Sequence, residues 1–257
     1  MHAPLLTICA CCLLASAASA ADSSFTGYAR SLDGRDLLYV ESHAISGAGN
    51  ADETRVVLYR CSAGSAPFAR KGLDYATNRI APAFEFEDAR SGFAEGLKRD
   101  TDGLEVFERA GATAARRSET LPRTGALVAD AGFDEFVHTR WDSLEQGASA
   151  EVPFLVPSRL DSVTFKARKV SEAIIEGEAA NVFRLSVAGP LGWFFSDIDV
   201  SYRKRDRRLM RYRGITNIRD ATGAMLSAQI DFPSAGRNDA PVDLAALRAL
   251  PLVSRCR

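Results

Sequence analysis

Apolar and polar residues alternate with period two over most of this chain, and short polar stretches interrupt the alternation. Val163, Phe165 and Ala167 alternate with Thr164, Lys166 and Arg168. Ile198, Val200 and Tyr202 alternate with Asp197, Asp199, Ser201 and Arg203. Leu226, Ala228, Ile230 and Phe232 alternate with Ser227, Gln229 and Asp231. Successive side chains of a strand point to opposite faces, so the pattern predicts half-buried antiparallel strands. The same alternation runs through 152–156, 183–187 and 210–212, and a noisier form in the first half extends the prediction to 25–30, 36–46, 53–61, 67–75, 83–88, 93–100 and 104–109. The stretches 47–52 and 111–125 read as loops. Glu176-Gly177-Glu178, Lys204-Arg205-Asp206-Arg207 and Asp220-Ala221-Thr222-Gly223 read as hairpin turns. Short turns between alternating strands make a meander with one wet and one dry face.

One segment has a different period. Phe133, Phe136, Val137, Trp141 and Leu144 form an apolar stripe of helical spacing, which predicts a helix over about 130–146. Asp130 is its expected N-cap, Asp134 and Glu135 suit the positive end, and Gly147 follows the last turn. A short second helix is expected at 241–249, with Pro241 in its first turn. The predicted fold is therefore mainly β: an antiparallel meander curled into an open or closed barrel, with one amphipathic helix packed on its concave side. An outer-membrane barrel fits poorly. Charges fall on both parities, as in Glu95-Gly96-Leu97-Lys98-Arg99, and aromatic girdles are lacking.

Residues 1–20 stand apart. They hold no Lys, Arg, Asp or Glu, an apolar run reaches Leu14, and Ala18-Ser19-Ala20 forms an A-x-A site. This predicts a signal peptide cleaved near Ala20 and a periplasmic or secreted protein. Lipid anchoring is the rival reading, since Cys9, Cys11 and Cys12 fall here, but Ile8-Cys9-Ala10-Cys11 comes early in the run. The expected organisation is a signal peptide at 1–20, a barrel-like domain at 21–233, and a linker and tail at 234–257. Without the leader, only Cys61 and Cys256 remain. An oxidising compartment favours their pairing as a disulfide, against two separate thiols.

Composition narrows the function. Hydrophobic residues make up 46%, and 32 Lys+Arg against 33 Asp+Glu leave a net charge of −1. That excludes a disordered chain and argues against a nucleic-acid partner. The neutral total hides a basic run of Arg203, Lys204, Arg205, Arg207 and Arg208. It reads either as a contact for an anionic membrane surface or envelope protein, or as a solvated hairpin paired with Asp197, Asp199 and Asp206. Trp193, Phe194 and Phe195 sit in a Gly/Pro loop, as the mouth of a cavity or a buried plug. Phe133, Phe136, Val137 and Trp141 are a lid over an apolar ligand or ordinary core.

No metal spacing, phosphate loop or nucleophile motif is present, so no metal, cofactor or catalytic residue is assigned. An i,i+4 pair of His138 and Asp142, joined by Glu85, Glu87 or Asp88, is the one acid–base group a hydrolase-like enzyme would use, if they converged. The leading functional expectation is non-catalytic binding of an apolar or amphipathic ligand such as a lipid. An envelope scaffold acting through the basic hairpin is the alternative.

Two stretches carry a resemblance. One runs Val128-Ala129-Asp130-Ala131-Gly132-Phe133-Asp134-Glu135-Phe136-Val137, continues with Trp141-Asp142 and closes with Val156-Pro157-Ser158-Arg159-Leu160-Asp161. The other runs from Arg207-Arg208-Leu209 through Gly214-Ile215-Thr216-Asn217-Ile218-Arg219-Asp220 to Asp231-Phe232-Pro233. Together they resemble an uncharacterised family of exported proteins from Gram-negative bacteria. The strand-rich layout is also similar to the half-barrel periplasmic carriers of lipoproteins. The resemblance implies export and a curled sheet, and transfers no functional residue.

Overall fold

Alternating side chains become the two faces of a single sheet. The structure, a computed structural model, describes residues 22–99, 103–123, 126–189 and 196–256. The predicted signal peptide and the aromatics Trp193, Phe194 and Phe195 lie outside the described residues. In chain order the strands are β1 (Ser23–Arg30), β2 (Leu37–Ser46), β3 (Thr54–Arg60), β4 (Pro67–Asp74), β5 (Ala83–Asp88), β6 (Phe93–Arg99), β7 (Leu104–Arg109) and β8 (Arg117–Leu121). Then follow β9 (Ser149–Val156), β10 (Asp161–Ile175), β11 (Glu178–Val187), β12 (Ile198–Arg203), β13 (Leu209–Arg219) and β14 (Met225–Asp231).

All neighbours are antiparallel. The order is β8-β7-β6-β5-β4-β3-β2-β1-β14-β13-β12-β11-β10-β9, a sheet that is curled and not closed. The first and last strands therefore pair in its interior, with Tyr28 opposite Asp231. Its two edges, β8 and β9, are consecutive in the chain.

Turn chemistry sets the register. Between β10 and β11, Glu176 (φ 51°) and Gly177 (φ 75°) are both left-handed, and Ile175 faces Glu178 across the turn. Two positive φ values match the twist of the flanking strands. In β13 the register slips between Ile215 and Arg219, so Thr216, Asn217 and Ile218 form a bulge against β14. Bulges re-aim side chains, and this one turns Asn217 inward.

Four expectations need correction. The segment 111–125 is not all loop, since it contains β8. Its sequence, Arg-Ser-Glu-Thr-Leu, shows no alternation because nearly the whole strand is exposed. The single helix is two: α1 (Gly132–Thr139) and α2 (Trp141–Glu145), separated at Arg140, whose φ is −107°. Asp130 does not cap it. The N-cap is Ala131, while Asp130 takes a left-handed φ of 44° and sends its carboxylate elsewhere. In the tail, α3 (Leu244–Ala249) begins after Asp243, which caps it by accepting from Ala246 N at 2.9 Å; Pro241 precedes the helix.

The core divides along the sheet. The larger cluster lines the inner face from β14 through β1 to β7, with Phe25, Tyr39, Tyr59, Phe86, Phe93 and Phe232 among its rings. The smaller lies under α1 and α2, where Phe136, Val137, Trp141 and Leu144 pack on Val152, Ala167, Phe183 and Tyr202. The segment before α1 shields the β9 edge: Val128 N donates to Pro153 O at 2.9 Å and Val128 O accepts from Leu155 N at 2.8 Å. Pro153 has no N–H to offer, so it suits an edge strand. Gly132 allows α1 to start against 80–82, because any side chain there would collide with the Ile80 carbonyl. Outside the sheet, Leu244 covers Ala44, Val56 and Leu58. Cys256 then pairs with Cys61, Cα to Cα 5.6 Å, across 195 residues of sequence.

Candidate functional site

The concave face does not fill completely. A cavity of about 320 Å³ lies between the sheet and the segment that leads into α1. One wall comes from β9 to β12, through Phe154, Leu155, Phe165, Leu185, Ile198 and Val200. Another comes from β1 and β14, through Phe25, Ile230 and Phe232, and Phe133 of α1 adds to the lining.

The floor is charged. Strand pairing places Phe25 opposite His43, His43 opposite Val57, Val57 opposite Lys71, Lys71 opposite Phe86, and Phe86 opposite Glu95. All six thus share one row of the inner face, from β1 to β6. The next row sets Glu41 opposite Tyr59. Lys71 Nζ donates to Asp130 Oδ2 at 2.6 Å and to Asn217 Oδ1 at 3.1 Å. Asn217 Nδ2 in turn donates to Glu95 Oε1. The His43 ring lies 2.8 Å from Glu41 and stacks on Phe25, centroids 4.3 Å apart. Asp130 Oδ1 also accepts from Ala131 N at 2.8 Å, which holds the carboxylate at its left-handed position.

Charges this deep survive only when paired and hydrogen-bonded. Burial opposes the Lys71 ammonium, but Asp130, by charge and hydrogen bond, outweighs it with help from Glu95 and Glu41; the lysine stays above its ordinary value. Burial pushes Glu95 above the usual carboxylate range, and the Asn217 amide and Lys71 only partly offset it. Burial likewise holds the Tyr39 and Tyr59 hydroxyls well above the ordinary phenol value, with Glu41 adding to both. The chemistry available is an apolar enclosure with a polar floor rich in acceptors.

Phe133 is the one member of the predicted helix face that lines the cavity. Phe136, Val137 and Trp141 face the sheet as core, and Trp141 stands edge-on to Phe183 at 5.2 Å. The basic run forms the turn between β12 and β13. Its partners are Glu178 and Asp206 for Arg203, Glu172 for Lys204, Glu178 for Arg205, Asp142 for Arg207 and Glu176 for Arg208. Of the acids expected to neutralise it, Asp206 does so, while Asp197 and Asp199 pair with Arg184.

His138 and Asp142 do not pair with each other. The His138 ring bonds to the Arg207 carbonyl at 2.8 Å, and Asp142 accepts from the Arg207 guanidinium at 3.0 Å. Glu85, Glu87 and Asp88 are held by Lys98, Arg70 and Arg90, so these acids are taken up in separate local pairs.

Lys71, Glu41, Glu95, Asp130 and Asn217 were not singled out by sequence reasoning as site residues. Two signals pointed to them. Charges at the dry-face parity of β2, β4 and β6 break the alternation, and Asp130 and Asn217 both lie in the stretches that carry the family resemblance.

No family model matches the chain, and no curated protein matches it. It is similar to solved structures. One is a β-barrel-like protein of the domain of unknown function DUF1849 from Brucella abortus, 9% identical, covering 86% of this chain and 97% of that one, with a TM-score of 0.42. A DUF1329 family protein from Desulfovibrio piger is 10% identical over 91% of this chain and 93% of that one, TM-score 0.30. A domain described as an outer membrane lipoprotein-sorting protein, from Vibrio parahaemolyticus, is 8% identical over 85% of each chain, TM-score 0.27. The likeness assigns no residue of this chain a role.

Proposed function

We propose that the protein is exported to the periplasm and binds, without catalysis, an apolar or amphipathic ligand such as a lipid. The cavity of about 320 Å³ carries this reading. It falls at the lower end of the range in which small-molecule sites lie, roughly 300–1,000 Å³, and has the usual mix of apolar walls and a few placed polar groups. Pairing of Cys61 with Cys256 suits an oxidising compartment. The ligand enters the space between Phe154, Phe165 and Ile198 on one side and Phe25 and Phe232 on the other.

The test is native mass spectrometry of protein purified from a bacterial envelope, followed by solvent extraction of what it carries. A discrete added mass that extracts as lipid is the expected result. A bare protein mass, together with no binding of a fluorescent fatty acid, overturns the reading. Val200→Trp, which fills the wall, should abolish fluorescent-probe binding in the folded protein.

A further inference from the structure

The floor has more acceptors than its own donors satisfy. Glu41, Glu95 and Asp130 surround the Lys71 ammonium, and Asp130 takes the direct ion pair at 2.6 Å. Glu95, 6% exposed, is left with the neutral Asn217 amide. The other cation near it, Arg219, directs its terminal nitrogens elsewhere: it donates to Gly223 O at 2.9 Å, lies over the Phe93 ring at 4.0 Å and approaches Glu108 at 3.9 Å, while its buried Nε makes no hydrogen bond, to Glu95 or to any other group among the described residues. A second, independent feature is Tyr39. It is 1% exposed, lines the same cavity, and ends in a hydroxyl with no partner of hydrogen-bonding geometry, although Thr216 faces it. A buried polar atom without a partner is rare and calls for one.

We propose that this floor seats the ammonium head of an amphipathic ligand whose apolar body fills the cavity; the proposal rests on the cavity being a binding site, as above. An ammonium group has donors only, and Glu95, Glu41 and the Tyr39 hydroxyl offer acceptors. Aromatic faces attract cations, and Tyr39, Tyr59 and Tyr212 ring the floor. An anionic head would meet a lysine already engaged by Asp130 and two further carboxylates.

The experiment compares decylammonium, decanol and decyl sulfate, below their micellar concentrations, by calorimetry on the full protein. Decylammonium should bind at least about tenfold more tightly than decanol, as a charge-assisted hydrogen bond does over a neutral one. Glu95→Gln and Tyr39→Phe should each weaken decylammonium while leaving decanol within about twofold. Circular dichroism reports the fold of each variant, and Tyr39→Phe carries the comparison alone if Glu95→Gln does not fold. Equal binding of decylammonium and decanol, or a preference for decyl sulfate, overturns the head-group assignment and leaves the cavity reading standing. Failure of all three probes to bind overturns both.

Discussion

The turn between β12 and β13 and the floor of the cavity both concentrate charge, and they hold it differently. At the turn, Arg205 and Asp206 are exposed, and partners come from the adjacent β10–β11 hairpin through Glu172, Glu176 and Glu178. Each pair there has at least one partner open to water, which screens it. On the floor, Lys71 and Asp130 are each 9% exposed at the side chain, and fewer charges are more tightly constrained. The turn dominates the sequence because its residues are contiguous. The floor is nearly invisible there, because its members come from β2, β4, β6, the segment before α1 and the bulge of β13. Density of charge along a chain and energetic weight of charge in a fold are separate quantities.

The comparison breaks first at Lys71. Lys71→Met should cost about 3–5 kcal/mol in urea unfolding, because Asp130 would then be buried without its cation. Adding Asp130→Asn to that variant should recover part of the loss, as a double-mutant cycle would measure. Lys71 has a raised folded value, so its contribution is complete at neutral pH. It is lost only as pH rises past the ordinary lysine value of 10.5 and through the folded one. An equal, small loss from Lys71→Met and from Arg205→Ala would erase the distinction between floor and turn.

Glu95 should act with the opposite sign. Burial raises its folded value above 4.5, so the ionised form costs stability once pH exceeds the raised value, and the cost vanishes below the ordinary one. Glu95→Gln keeps an acceptor for Asn217 and removes the charge. It should melt higher than the parent at about pH 8 and level with it at about pH 4. A group that lowers stability while lining a cavity is common at functional sites.

The smallest effect belongs to the turn. The Arg203 guanidinium holds Asp206 down to about 2, against some opposing burial, with the Arg208 backbone assisting. Its contribution is present above the ordinary value of 3.8 and lost as pH falls through about 2. Solvent screening keeps Asp206→Asn within about 1 kcal/mol in the same urea assay.

Most of the strand framework was legible because half-buried strands must alternate. β8 was not, since an exposed edge strand has no dry face to impose a period. The helical stripe was legible, but its break at Arg140 was not. The stripe runs through both α1 and α2, because Trp141 and Leu144 bury against the same sheet as Phe136 and Val137. Phe133, legible from its spacing as part of the helix face, lines the cavity. Glu41, Lys71 and Glu95 were not legible as inward residues, because a charge on the dry face breaks the alternation that identifies that face. Asp130 was taken for a helix cap, the ordinary use of aspartate before an apolar stripe. Only its left-handed backbone and its reach to Lys71 reveal another use.

The pairing of β1 with β14 has a consequence for synthesis. A ribosome delivers β1 first, and its outer edge remains open until Asp231 arrives opposite Tyr28. Throughout that interval the growing chain displays a template for stray strands, next to a half-built apolar trough. The covalent join between the two final edges, β8 and β9, is by contrast made midway. The sheet is thus stitched shut at its centre last.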